Sequence, residues 1–330
     1  MAEKTDVVAL GELLIDFTEN GVSNQGNGLF EACSGGAPCN VLAMLRKLGK
    51  SCAFVGKVGD DMFGLLLWHT ILEAGIRAEH LIMDPKIPTT LAFVKPFSNG
   101  DRDFSFYRKP GADMMLTEDE LPEETIANAK IFHFGTLSMT YEGVRAATVK
   151  AVKLAKEGGA YISFDPNLRP PLWEDLAEAK RQIAWGLSQC DILKIADNEL
   201  EFMTGETDFE KGARILQKAY PNIRVLNVTA GADGSYSFCA ALQCSMPGCS
   251  ARAASRCCTA GTKWPSSTTG TTNWIRIKKR TAAICTGAVS TGRRRRCGGM
   301  PLPYRERSLD LCAGWKPFGH STRPSARMPR

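Results

Sequence analysis

Between Val7 and Val228 the sequence alternates short apolar runs with longer stretches of helical period, and no other feature narrows the fold as far. The runs Val7–Leu10, Ala53–Val58, Ile131–Phe134, Tyr161–Phe164, Ile192–Ile195 and Val225–Val228 have the length and apolar character of buried strands. Between them a helix starts at Pro38, with Val41, Met44, Leu45 and Leu48 on one face and Gly49 at its end. Others cover Met62–Ala74, Tyr141–Lys156 and Phe209–Ala219. Thr117-Glu-Asp-Glu120 has the spacing of a capping box. Thr89–Lys95 and Phe104–Tyr107, on either side of Ser98-Asn99-Gly100-Asp101, read as a hairpin. Strands that are apolar throughout need cover on both faces, which a parallel sheet obtains from its crossover helices. Such sheets bind ligands beyond the carboxyl ends of their strands, so the residues just after each run are the ones to inspect.

The alternation stops after Phe238, and the composition changes with it. Residues 1–240 carry 24 Lys and Arg against 33 Asp and Glu, net −9; residues 241–330 carry 17 against 2, net +15. The overall charge of +6 therefore belongs to the last 90 residues. That stretch holds the run Arg293–Arg296 and only 9 Val, Ile, Leu or Phe, too few to bury a core. Eight of the twelve cysteines lie from Cys239 to Cys312 without zinc-ligand spacing, and His320 is the one histidine of the tail, which argues against a metal site there. The expected organisation is a folded unit over 1–240 and an aberrant basic tail over 241–330, out of frame and disordered. Nucleic-acid binding through the arginine run is the weakest functional reading, because the tail has no organised motif. No run approaches the ~18 consecutive apolar residues of a membrane span. The N-terminus, mixed in charge, is unlike a signal peptide, and the expectation is a cytoplasmic protein with reduced thiols.

Six constellations could carry chemistry. Gly35-Gly36-Ala37-Pro38-Cys39-Asn40 opens the first helix: two glycines let a backbone approach a ligand, a helix start offers free N–H groups, and Asn40 can donate and accept toward hydroxyls. An ordinary loop-to-helix turn looks the same. Asp16 can accept from vicinal sugar hydroxyls or be an exposed loop acid. Arg108, in Phe106-Tyr107-Arg108, can reach over a ligand or snorkel at the surface. Asp165-Pro-Asn167-Leu-Arg169 groups an acid, an amide and a guanidinium directly after a strand, stiffened by Pro166, Pro170 and Pro171. Asn198 and Glu201 fall on one side of a helical turn and suit a hydrated Mg²⁺ near phosphates, or helix capping. Thr229, Gly231 and Gly234 lie in a turn able to cradle a nucleotide or to be a hairpin. The pattern G-x-x-x-x-G-K-[ST] and a full G-x-G-x-x-G are both missing, which disfavours a P-loop enzyme and a typical dinucleotide dehydrogenase.

In order and spacing these segments, with Gly11-Glu-Leu-Leu-Ile-Asp16-Phe17 and Gly56-Lys-Val-Gly59-Asp60-Asp61-Met-Phe63-Gly64, resemble the ribokinase family of sugar kinases, and its fructokinase branch in particular, from about Val7 to Phe238. The resemblance implies a three-layer α/β/α fold with a mostly parallel central sheet and a small β-lid from about 12–33 and 89–108. It implies transfer of the ATP γ-phosphate to a primary hydroxyl of D-fructose. Asp16, Gly35, Gly36, Asn40, Arg108 and Arg169 would then contact the sugar, Asn198 and Glu201 would organise Mg²⁺ and phosphate, and Thr229, Gly231 and Gly234 would lie along the nucleotide. The same resemblance implies Mg²⁺ brought by ATP rather than a dedicated metal site, K⁺ as an activator, and a homodimer through the lid. The family's second signature, Asp-Thr-x-Gly-Ala-Gly-Asp, supplies an anion hole and the catalytic base, and residues 239–330 do not contain it. Thr259-Ala260-Gly261-Thr262 and Thr286-Gly287-Ala288 are the nearest fragments, and Asp310 has no glycine turn before it. No catalytic residue is therefore assigned. The expectation is a sugar kinase by descent with little turnover, and a sugar-binding remnant is the alternative.

Overall fold

The apolar runs become neighbouring strands. The computed structural model describes residues 4–96, 102–231, 234–239 and 274–277, all within the unit Met1–Thr281. The expected turn at Ser98–Asp101 and, apart from residues 274–277, the expected tail lie outside the described residues. In chain order the strands are β1 Thr5–Leu10, β2 Leu14–Val22, β3 Gly28–Gly35, β4 Cys52–Gly59, β5 Arg77–Asp84, β6 Leu91–Pro96, β7 Arg102–Tyr107, β8 Ala129–Gly135, β9 Tyr161–Asp165, β10 Ile192–Ala196, β11 Val225–Thr229, β12 Ser235–Cys239 and β13 Trp274–Ile277. The helices are α1 Ala37–Lys47, α2 Met62–Glu73, α3 Glu123–Ala127, α4 Glu142–Glu157, α5 Leu176–Gln189, α6 Asp197–Thr204 and α7 Phe209–Ala219.

The larger sheet has nine strands in the order β13-β12-β11-β10-β9-β8-β1-β4-β5. Pairing is parallel from β5 through β11 and antiparallel at β12 and β13. Val8, Leu10, Phe132, Phe134, Ile162, Phe164, Leu193 and Leu226 pack on one face against α3, α4, α5 and α7. Val7, Ala9, Cys52 and Phe54 pack on the other against Leu42 of α1 and Leu67 and Ile71 of α2. Helices on both sides of a mostly parallel sheet give the expected layered α/β architecture. A second sheet, β3-β2-β6-β7, falls on the segments expected to form a lid.

Several local expectations need correction. The buried side of α1 is Pro38, Cys39 and Leu42; Met44 is 58% exposed and Leu48 63%. The helix is seated by its first turn, where Pro38 lies so close to Gly11 that a Cβ there would be 2.7 Å from the proline ring. The capping box at Thr117 forms, with Glu120 Oε2 accepting from the Thr117 N–H at 2.9 Å, but it opens only a short 3-10 turn, Glu118–Glu120, because Pro122 follows and has no N–H to continue it. The sequence pattern does not announce β5, an edge strand in which exposed and covered residues are mixed, nor β13, and it reaches β12 only through the hairpin reading of the turn after Thr229.

Candidate functional site

The small sheet is entered from β1 through Gly11-Glu12-Leu13 and is left into α1 through Gly35-Gly36. Neither glycine of the second pair has room for a side chain. A Cβ on Gly35 would overlap the Asp16 carboxylate, and one on Gly36, whose φ is 124°, would overlap the Glu12 carbonyl oxygen. Asp16 is thereby set beside the start of α1, where Asn40 is exposed. The buried Glu12 carboxylate accepts from the Ala37 N–H at 2.8 Å, so this helix start already holds one acid. Burial pushes Glu12 up to about 7 against the pull of that N–H, with Asp113 adding to the rise and Arg108 opposing it.

Asp16, Ala92 and Phe106 are register partners across β2, β6 and β7, and Phe104 lies on the same face two residues before Phe106. Against that face stands Arg169, its guanidinium carbon 5.4 Å from the centre of the Phe104 ring. The loop after β9 therefore meets the face that carries Asp16. Along that loop the Asp165 carboxylate accepts from Lys194 Nζ at 3.1 Å and from the Asn167 N–H at 3.2 Å. Burial raises Asp165, and Lys194 works against the rise. Asn167 itself has a φ of 44°, a conformation asparagine tolerates better than most residues.

Asn198 and Glu201 sit together on the exposed side of α6, just beyond β10, as their spacing suggests. Asn198 also caps locally, its Oδ1 accepting from the Glu199 N–H at 3.0 Å. Glu199, 3% exposed, is a residue that sequence reasoning passed over. Its carboxylate accepts from the N–H groups of Leu168 at 2.7 Å and Ala196 at 2.8 Å, stapling the Asp165–Arg169 loop to the start of α6. The signal was its spacing of three from Ala196, the second half of a capping box. Burial, with Asp165 nearby, raises this acid too.

Thr229 ends β11 and pairs with Ser235, and between them Ala230 N–H donates to the Gly234 carbonyl at 2.9 Å. With φ of 48° at Gly231 and 99° at Gly234, the segment is a tight hairpin, the second of the two sequence readings for its backbone. The surface reading of Arg108 is wrong: the residue is 5% exposed. A buried guanidinium must find acceptors, and here they are Asp113, Thr140 and the Leu137 carbonyl. The Gly56–Gly64 segment is a structural knot: Asp61 caps α2 through Phe63 and Gly64 and also accepts from the Thr89 N–H at 2.8 Å. Among the described residues no group of three or more His, Cys, Asp or Glu could hold a metal ion.

A family model described as pfkB family carbohydrate kinase matches residues 4–249. Fructokinase-2 of Solanum lycopersicum is 44% identical over 230 residues, 69% of this chain and 70% of its own length. The crystal structure of a fructokinase with bound ATP from Xylella fastidiosa is similar with a TM-score of 0.63 at 31% identity, over 72% of this chain and 75% of that one. A fructokinase double mutant from Vibrio cholerae O395, in a form bound to fructose, ADP and potassium ion, gives 0.64 at 28% identity, over 72% and 74% of the two chains.

Proposed function

Because the chain belongs to the pfkB family of carbohydrate kinases, we propose that its substrate is D-fructose and its phosphate donor ATP, with a primary hydroxyl as acceptor. The observation that carries this reading is the placement of Asp16: an acceptor for vicinal hydroxyls, on one face of the small sheet, with Arg169 reaching that same face at Phe104. Gly35, Gly36 and Asn40 complete the sugar side. Asn198 and Glu201 fit a Mg²⁺ that arrives on the nucleotide, since they are exposed, adjacent and too few to hold a bare ion. The ion's charge would offset the phosphates. Thr229, Gly231 and Gly234 would then border the nucleotide, with K⁺ as an activator. A homodimer through the small sheet is supported by its exposed Val22, Leu29, Phe30 and Tyr107. A cytoplasmic location is consistent with the described helices, none of which is long and apolar enough to cross a membrane.

We also infer that phosphoryl transfer by this chain is weak. Transfer rests on positioning, charge stabilisation and a base for the hydroxyl proton. The run that carries base and anion hole in the family is missing from residues 239–330, which read as out-of-frame translation. Calorimetry with fructose, beside an assay of fructose-dependent ADP release, tests both points on the purified 330-residue chain. Fructose should bind, and ADP release should lie about 10²–10⁴-fold below that of an intact relative. ADP release at a relative's rate overturns the lost-base inference. Binding of another sugar in place of fructose overturns the substrate. Translating the coding DNA beyond codon 230 in its other frames should bring up Asp-Thr-x-Gly-Ala-Gly-Asp.

A further inference from the structure

We propose that Arg108 and Asp113 are an anchor that fixes the small sheet over the sugar site, which makes them positioning residues and not sugar contacts. The feet of β6 and β7 are Thr90 and Arg108, and one carboxylate takes both. Asp113 Oδ1 accepts from Thr90 Oγ1 at 2.5 Å, and Oδ2 accepts from Arg108 Nε at 2.8 Å with Nη2 at 2.6 Å. The Thr90 carbonyl accepts from the Ile15 N–H at 3.1 Å, one residue before Asp16. From its other side Arg108 grips the loop after β8, with Nη1 donating to Thr140 Oγ1 at 2.8 Å and Nη2 to the Leu137 carbonyl at 3.0 Å. Both members of the ion pair have side chains 2% exposed, so the guanidinium spends its donors inside the protein. Gly111 must stay a glycine for this to form, since a Cβ there would overlap Thr90 Oγ1. Strands β2, β6 and β7, which carry Asp16, Ala92 and Phe106, thus take their position relative to the β8 loop from one buried node.

The binding arm of the test rests on the fructose reading above; the exchange arm does not. The deciding variant is the full chain carrying both Arg108→Met and Asp113→Leu. Apolar side chains in place of a buried ion pair commonly leave stability unchanged or higher, whereas removing one partner strands a buried charge. The double variant should keep the unfolding midpoint of the unmodified chain. Its fructose affinity should fall about tenfold or more, and hydrogen exchange at β2 and β6 amides should rise about tenfold or more while β1 and β8 stay protected. Arg108→Lys should not restore affinity, because an ammonium cannot fork onto Asp113 and Thr140 together. Thr90→Val, which leaves the ion pair intact, should shift both readouts the same way by less, and it serves if the double variant does not fold. Affinity and exchange both unchanged would overturn the proposal. So would lost affinity with unchanged exchange, the result of a direct sugar contact. A chain that binds no fructose before mutation sinks the functional reading, and the exchange of β2 and β6 then decides the anchor alone.

Discussion

One face of the nine-stranded sheet is built in two ways. Over β1 and β4 it presents Val7, Ala9, Cys52 and Phe54, all at most 4% exposed, beneath α1 and α2. Followed along the register to β9–β12, the same face presents Ser163, Lys194, Asn227, Thr229, Ser235 and Ser237 beside Tyr161, Ile192 and Val225, none of them fully buried. Among the described residues, the helices packed on those strands contribute to the opposite core. The first half is held by apolar area removed from water. The second is held by pairs: Ser237 Oγ donates to Asn227 Oδ1 at 2.7 Å, Lys194 to Asp165 at 3.1 Å, and His133 Nδ1 lies 3.0 Å from Ser163 Oγ. A single sheet can therefore change the kind of force that holds it from one strand to the next.

The largest expected effect is on the apolar half. Phe54→Ala should cost about 3–5 kcal/mol in urea unfolding, since it opens a cavity under two helices. A loss below about 1 kcal/mol would remove the distinction between the halves. Next comes pH, because buried groups bordering the two regions, Glu12 after β1 and His133 on β8, titrate away from their ordinary values. Glu12 moves from 4.5 to about 7 on folding. Between those values the unfolded chain has lost the proton and the folded chain keeps it, so stability falls as pH rises, by about 3 kcal/mol in all. His133, buried and near Lys194, moves from 6.5 to about 4. There the unfolded chain holds the proton and the folded chain does not, so stability rises with pH from about 4 to 6.5 by a similar amount. The two slopes oppose each other in the unmodified protein. Asp165 and Glu199, both raised by burial, add to the Glu12 side. Glu12→Gln should make the slope of stability against pH more positive over this range, and His133→Asn should make it more negative. Unfolding measured at several pH values checks both, and unaltered slopes in the two variants would refute the assignment. The smallest effect belongs to the polar half: Ser237→Ala should cost about 0.5–1.5 kcal/mol, the net worth of one hydrogen bond.

Much of the fold was legible because its strands are continuous apolar runs, and α7 begins and ends where its period does. The face of α1 was not, because two apolar stripes overlap on it and the contact of Pro38 with Gly11 chooses between them. Gly35 and Asn40 could be picked out because helix starts and glycine pairs leave local marks, whereas Asp16 joined them only through the family resemblance. The carboxylates of Glu12 and Asp113 could not. Each is defined by a partner supplied by folding, Ala37 in one case, Arg108 and Thr90 in the other. A charged letter in a sequence reads as exposed until its counterpart is placed beside it.

The strand order has a consequence for synthesis. From β9 onward each strand through β12 pairs with the one made just before it, while β1 already lies between β4 and β8. A ribosome therefore makes every strand from β1 to β9, and the loop as far as Arg169, before the first residue of β10. A change made after β11 would fall at the last-made edge of the sheet, away from the β1, β4 and β8 strands at the other end.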